Sequence, residues 1–191
     1  MDDATANRLR PHQIAMLRGG RRAAVKVAVL ALHLRGSVGA GPGGTARTTG
    51  PVGDARDLPA LTRAVHSALY RPAGTGQLPA RRSVATALAG LRRELVAAGL
   101  LRRFPPGRTR HGRRALRTLR RLHPLPAAAE GVTPEDRLYA VALYGDRALT
   151  ALVPRFARDA GLLGRGGTTE RELRQSWGSG GGSGGFTCGS V

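Results

Sequence analysis

Nucleophilic or metal chemistry in this chain would have to be built from one cysteine, Cys188, and five histidines. His12, His33, His66, His111 and His123 stand nowhere at HxH or HxxxH spacing, and no histidine or second cysteine is near Cys188. A zinc site takes three or four ligands at recognisable spacing, so no metal and no cofactor is expected. A catalytic thiol needs a fixed electropositive niche, whereas Cys188 lies in GSGGGSGGFTCGSV (178–191), which reads as a disordered Gly/Ser tail. Its candidate role is that of a modification site. There is no GxSxG elbow, no GxxxxGK[ST] loop and no GxGxxG after a strand. The acids Glu135, Asp136 and Asp146 read as helix-start charges, and Leu17-Arg-Gly-Gly-Arg-Arg22 as a helix stop with surface charge. The expectation is that the protein is not an enzyme.

Arginine is the residue type that carries a signal. Lys+Arg number 31 against 12 Asp+Glu, for a formal net charge of +19, and Lys26 is the lone lysine. The excess is local: residues 1–53 carry +6, 54–57 carry −1, 58–129 carry +14 with Glu94 as the one acid, and 130–191 carry 0. Within the richest stretch, Arg102, Arg103, Arg108, Arg110, Arg113, Arg114, Arg117, Arg120 and Arg121 follow one another with no acid from 95 to 129. So one-sided a segment calls for a screening partner: a polyanion, an acidic protein or an anionic membrane surface. Dominance of Ala, Arg, Gly and Leu also marks a GC-rich coding bias, which contributes to the arginine count. With aromatics at 4%, stacking of single-stranded bases is not expected.

The elements that must hold these arginines are mostly helices. Hydrophobic residues make up 41% of 191, and that core is Leu, Val and Ala. A short helix over Pro11–Leu17 ends at Gly19-Gly20, and a longer one runs from Arg21 to Leu34 with Ala24, Val27, Ala31 and Leu34 on one face. Gly36 stops it, Ser37-Val38 begins a strand, and 39–56 reads as a loop or loose hairpin. Asp57 caps a helix from Leu58 to Tyr70. Ser83 caps another with the stripe Val84, Leu88, Leu91 and Leu95, which Gly99 ends. Leu100-Leu101 then begins a strand, Pro105-Pro106-Gly107 turns, and Arg108-Thr109-Arg110 returns. A helix over Arg113–Leu122 faces inward with Leu116, Leu119 and Leu122. Thr133-Pro134-Glu135-Asp136 starts a helix that Gly145 ends. Asp146 caps the next, which Pro154 kinks, and Thr169 with Glu172 starts a last one.

Residues 31–38 align with 94–101 at an offset of 63. Helix, glycine, strand, turn and strand recur in that order, which is the helix-plus-wing plan of winged-helix domains. The expected fold is therefore mainly α (α+β): two degenerate winged-helix-like units with short β-wings, over 1–56 and 57–129, a helical C-terminal part over 130–177, and the tail at 178–191. The acidic start Met1-Asp2-Asp3 is not a signal peptide. The longest apolar run, Val27–Leu32, is far shorter than the ~20 residues of a membrane span. The expected place is the cytoplasm, with contact to a membrane surface at most peripheral.

Four segments carry a resemblance: HQIAMLRGGRRAAVKVAVLALHLRGSV (12–38), LRRELVAAGLL (91–101), YAVALYGDRALTALVPRFA (139–157) and GGGSGGFTCGS (180–190). Together they resemble an uncharacterised actinobacterial family, usually described as membrane proteins, with a Gly/Cys-rich C-terminal tail. The resemblance implies an accessory or substrate role beside multinuclear iron-dependent oxidases that modify peptides. The family typically has spanning segments before its last third, where this chain has arginines. It also carries several tail cysteines, where this chain has Cys188. Residues and resemblance together give a non-enzymatic binding or scaffold protein. One alternative is a winged-helix DNA-binding regulator using the arginines of 102–121; another is a tail modified at Cys188.

Overall fold

The computed structural model describes residues 9–53 and 58–163. Its elements are α1 (Pro11–Leu34), β1 (Val38–Gly41), β2 (Thr45–Thr48), α2 (Ala60–Ala68), a 3-10 turn (Leu78–Ala80), α3 (Arg82–Ala97), β3 (Leu101–Arg102), β4 (Gly107–Arg108), α4 (Arg110–Leu122), α5 (Pro134–Tyr144), α6 (Asp146–Leu152) and α7 (Pro154–Asp159). The fold is mainly helical with two small antiparallel hairpins, as the sequence leads one to expect.

α1 is the axis. It bends at Gly19 and Gly20, where Gly20 takes φ 70°, so its two segments match the two helices read from the sequence. The second segment is buried nearly all round, from Ala23 through Leu32 apart from a half-buried Lys26. A helix apolar on every side is a central helix, and α1 packs against α2, α3, α4 and α5, most extensively α5. The single face Ala24, Val27, Ala31 and Leu34 thus understates its burial, and Leu34 is only half-buried. One contiguous apolar cluster draws on every helix and both hairpins, with Ile14, Leu30, Leu88, Leu119, Leu143 and Leu149 fully buried within it.

The two helix–hairpin corners share one bonding scheme. At the end of α1, the Ser37 amide donates to Leu32 O (3.0 Å) and the Gly36 amide to His33 O (2.8 Å). At the end of α3, the Leu100 amide donates to Leu95 O (2.9 Å) and the Gly99 amide to Val96 O (3.0 Å). Both are Schellman caps, with the glycine at φ 74° or 68°, a conformation that costs a side-chain-bearing residue. The hairpins then close alike: Thr49 N to Ser37 O (3.0 Å) and Thr109 N to Leu100 O (3.1 Å). In each, the threonine hydroxyl reaches back to the glycine carbonyl, Thr49 to Gly36 at 3.1 Å and Thr109 to Gly99 at 2.7 Å. The two helix stops thus correspond at the offset of 63 read from the sequence, while the threonines that close the hairpins stand 60 apart.

The hairpins differ in reach. β1 and β2 pair Val38 with Thr48 through Gly41 with Thr45, and Ala46 exchanges backbone bonds with Ala73. β3 and β4 pair only Leu101 with Arg108 and Arg102 with Gly107. The expected return strand Arg108-Thr109-Arg110 is shorter than read, because Thr109 becomes the N-cap of α4, which starts at Arg110 and not Arg113.

Other starts shift for local reasons. The N-cap position of α3 is Arg81 with no side-chain cap, so Ser83 lies inside the first turn. Asp146 is the first residue of α6 after Gly145, and its carboxylate is ion-paired with Lys26 instead of capping. The Thr133-Pro134 start is as read, with Thr133 Oγ1 accepting from the Asp136 amide at 3.1 Å. Leu122 is 56% exposed, because α4 turns its inner face through Gly112, Ala115, Leu116 and Leu119. The caps at Asp57 and Thr169, and the tail from 178, lie outside the described residues.

Candidate polyanion-docking face

α4 places its six arginines by periodicity alone. At 100° per residue, Arg110, Arg113, Arg114, Arg117, Arg120 and Arg121 fall within an arc of about 120°. The opposite arc holds the buried Gly112, Ala115, Leu116 and Leu119. All six arginines are exposed. What the sequence shows as arginines interspersed with leucines is, in space, one basic face over one apolar face.

Three contacts aim this face. Thr109 ties the start of α4 to the hairpin, its hydroxyl accepting from the Gly112 amide (3.0 Å) and meeting the carbonyls of Gly99 and Leu100. Gly112 sits so close to the β3 corner that a Cβ there would lie 2.3 Å from Leu100 O and 3.0 Å from Leu17 Cδ1. At the far end, the Tyr144 hydroxyl donates to Arg120 O (3.1 Å) and His123 O (3.0 Å), pinning α4 to α5.

The second hairpin brings one wing arginine, Arg108, to the α4 face. Arg102, Arg103 and Arg108 are exposed. Arg108 joins Arg113, Arg117 and Arg120 around an open groove of about 270 Å³ that Leu116 also lines. Four of the nine candidate arginines are thus brought together; Arg102, Arg103, Arg110, Arg114 and Arg121 lie outside the groove lining. Arg113 donates to Arg108 O at 3.4 Å, and Arg120 donates to Leu143 O at 3.3 Å with its guanidinium 5.9 Å from the Tyr144 ring centroid.

Among the described residues no carboxylate forms an ion pair with this face. Among the described residues the ion pair is Lys26–Asp146, and none of the nine arginines takes part in one. Glu94, the one acid of the block, instead accepts from Gln13 Nε2 at 3.2 Å. Exposed guanidinium groups gathered at one groove, with no ion-paired acid among the described residues, raise the local potential and concentrate anions from solution. Each offers a planar fork of donors suited to phosphate oxygens.

The other titratable groups serve the fold. His12 is buried at the start of α1 with Nε2 2.9 Å from Thr62 Oγ1, while Nδ1 has no hydrogen-bond partner. Burial, aided by the charges of Arg35 and Arg10, lowers its pKa from 6.5 to about 4. Burial and the Glu135 charge raise the Tyr139 phenol. His33 stacks on Phe156 at 3.5 Å and His123 on Tyr139 at 5.1 Å. Among the described residues no three His, Cys, Asp or Glu side chains gather as metal ligands, and no helix is long and apolar enough to cross a membrane. Cys188 lies outside the described residues.

Sequence reasoning missed Thr109 and Phe104. Phe104, at the tip of the second hairpin, is 89% exposed. The threonine had a signal, since Thr109 and Thr49 follow their helix-stop glycines at similar distances along the chain. No family model, curated protein or solved structure matches the chain.

Proposed function

We propose that this is a non-enzymatic docking protein whose α4 face and second hairpin bind a partner presenting closely spaced phosphates or similar anions. The observation that carries this reading is the arc of six exposed arginines on α4, joined at the groove by Arg108 and without an ion-paired acid among the described residues. The hairpin ahead of α4 is wing-like, so the basic surface extends from a helix onto a projecting turn, a layout suited to following a charged surface. An accessory role of this kind agrees with what the resemblance implies beside a peptide-modifying oxidase.

A random-sequence DNA duplex serves as a repeating-phosphate probe in a mobility-shift titration at low and physiological salt. The expected result is binding at low salt with a steep salt dependence. In R113E/R117E/R120E the binding weakens at least a hundredfold and the salt slope drops by about 3, near one unit per phosphate contact. The charge-matched control R63E/R147E/R155E, at exposed arginines away from α4, keeps most of the binding. No binding at low salt, or equal loss in both triples, overturns the reading.

A further inference from the structure

Phe104 is the most exposed large apolar side chain among the described residues, 89% accessible where Tyr70 is 73% and Leu122 is 56%. It stands at the turn between β3 and β4, followed by Pro105 and Pro106 and flanked by the exposed Arg102, Arg103 and Arg108. Among the described residues none covers it, and two-residue strands pair directly behind the turn. An exposed aromatic ring at a turn, with exposed arginines on both sides of it in the chain, is matched by a surface whose outer layer is anionic and whose next layer is apolar.

We infer that the partner is an anionic lipid bilayer, with Phe104 entering the interfacial region while the arginines of the hairpin and of α4 engage lipid phosphates. This rests on the docking reading above and adds the partner's chemistry. Phenylalanine is among the apolar side chains that bury at the headgroup boundary of surface-bound segments, and basic residues near an anionic leaflet each add to attraction. Long arginine side chains keep their stems against apolar matter while their heads stay with the headgroups. A duplex is the poorer fit. To accept Phe104 it must unstack a base step, which costs a few kcal/mol.

The test is co-sedimentation of the full chain with vesicles of phosphatidylcholine, plain or doped with phosphatidylglycerol, alongside the duplex titration. The wild type is expected to bind the doped vesicles and not the plain ones. F104A is expected to bind the doped vesicles about tenfold more weakly, the order set by burying part of one aromatic side chain, with duplex binding unchanged. In F104W, the new indole emission shifts to the blue on vesicle binding and is quenched by brominated acyl chains, while the parent, with Trp177 alone, shows neither change. Vesicle binding that is absent, or indifferent to F104A, overturns the inference while the arginine triple still loses the duplex and the docking reading stands. An arginine triple that binds both probes like wild type overturns the docking reading itself.

Discussion

Thr109 Oγ1 donates to the carbonyl of Gly99 at 2.7 Å, just as Thr49 Oγ1 donates to that of Gly36 at 3.1 Å. In each case the threonine that closes a hairpin is tied to the glycine that ended the helix before it. Only the second copy has been drawn into a further helix, for the Thr109 hydroxyl also accepts the Gly112 amide. That side chain thus ties the second hairpin to the first turn of α4.

Thr109→Val keeps the shape and removes these bonds. Loss of an N-cap costs about 1–2 kcal/mol, so the chemical-denaturation midpoint is expected to fall accordingly. Polyanion affinity falls as well, although no positive charge is removed. Thr49→Val, at the first hairpin, lowers stability without changing affinity. Equal effects on affinity from both variants would contradict the orienting role of Thr109.

Gly112→Ala tests the close approach of α4 to the β3 corner. The added methyl meets the Leu100 carbonyl, which is backbone and cannot swing aside. Overpacking of this kind costs about 1–3 kcal/mol, and the cost here belongs at the upper end. Gly90→Ala in α3, where a Cβ meets nothing within 4 Å, is the control and is expected to be neutral or mildly stabilising. Thermal melts of the two variants settle the comparison.

His12 makes stability depend on pH. Its folded pKa, about 4, lies below the usual 6.5, so the unfolded chain binds the proton first as pH falls. The contribution of the neutral, buried ring is complete above pH 6.5 and is lost progressively down to about pH 4. The loss amounts to about 3 kcal/mol at 1.36 kcal/mol per unit. Denaturation series across this range are expected to show a slope that His12→Asn reduces, the amide retaining a partner for Thr62. A slope identical in the variant rules out His12 as its source.

The Lys26–Asp146 pair joins α1 to the start of α6, with the lysine 11% and the aspartate 40% exposed. The two ends are not equivalent. Asp146→Asn strands a largely buried ammonium and is expected to cost about 2–3 kcal/mol. Lys26→Met leaves a carboxylate that water reaches and costs about 1 kcal/mol. Combining the two recovers most of the larger loss, which a double-mutant cycle reads directly.

Local signals were legible wherever the chain marks them chemically. Gly36 and Gly99 announce the two helix stops, Thr133-Pro134 announces α5, and Gly145 with Pro154 divides the last helices. Where tertiary packing decides, local signals fell short. The burial of α1 on all sides comes from helices that surround it. Leu122 reads as core by spacing, yet the inner face of α4 runs through Gly112 and Ala115, because small residues let the helix approach Leu100 and Leu17. The arginine arc was available from helical spacing once α4 was begun at Arg110. The entry of Arg108 into the groove was not, since it depends on how a hairpin folds back on α4. Phe104 gave no warning, because an apolar side chain is by default assigned to the interior.

The central claim is that the second hairpin and α4 form the docking face. Amide hydrogen exchange of the full chain, with and without saturating long-chain polyphosphate at low salt, tests it most directly. The account predicts slowed exchange confined to residues 102–121, reversed by salt and absent in R113E/R117E/R120E. Protection spread evenly over the basic surface, or centred on α1 or α2, would contradict it.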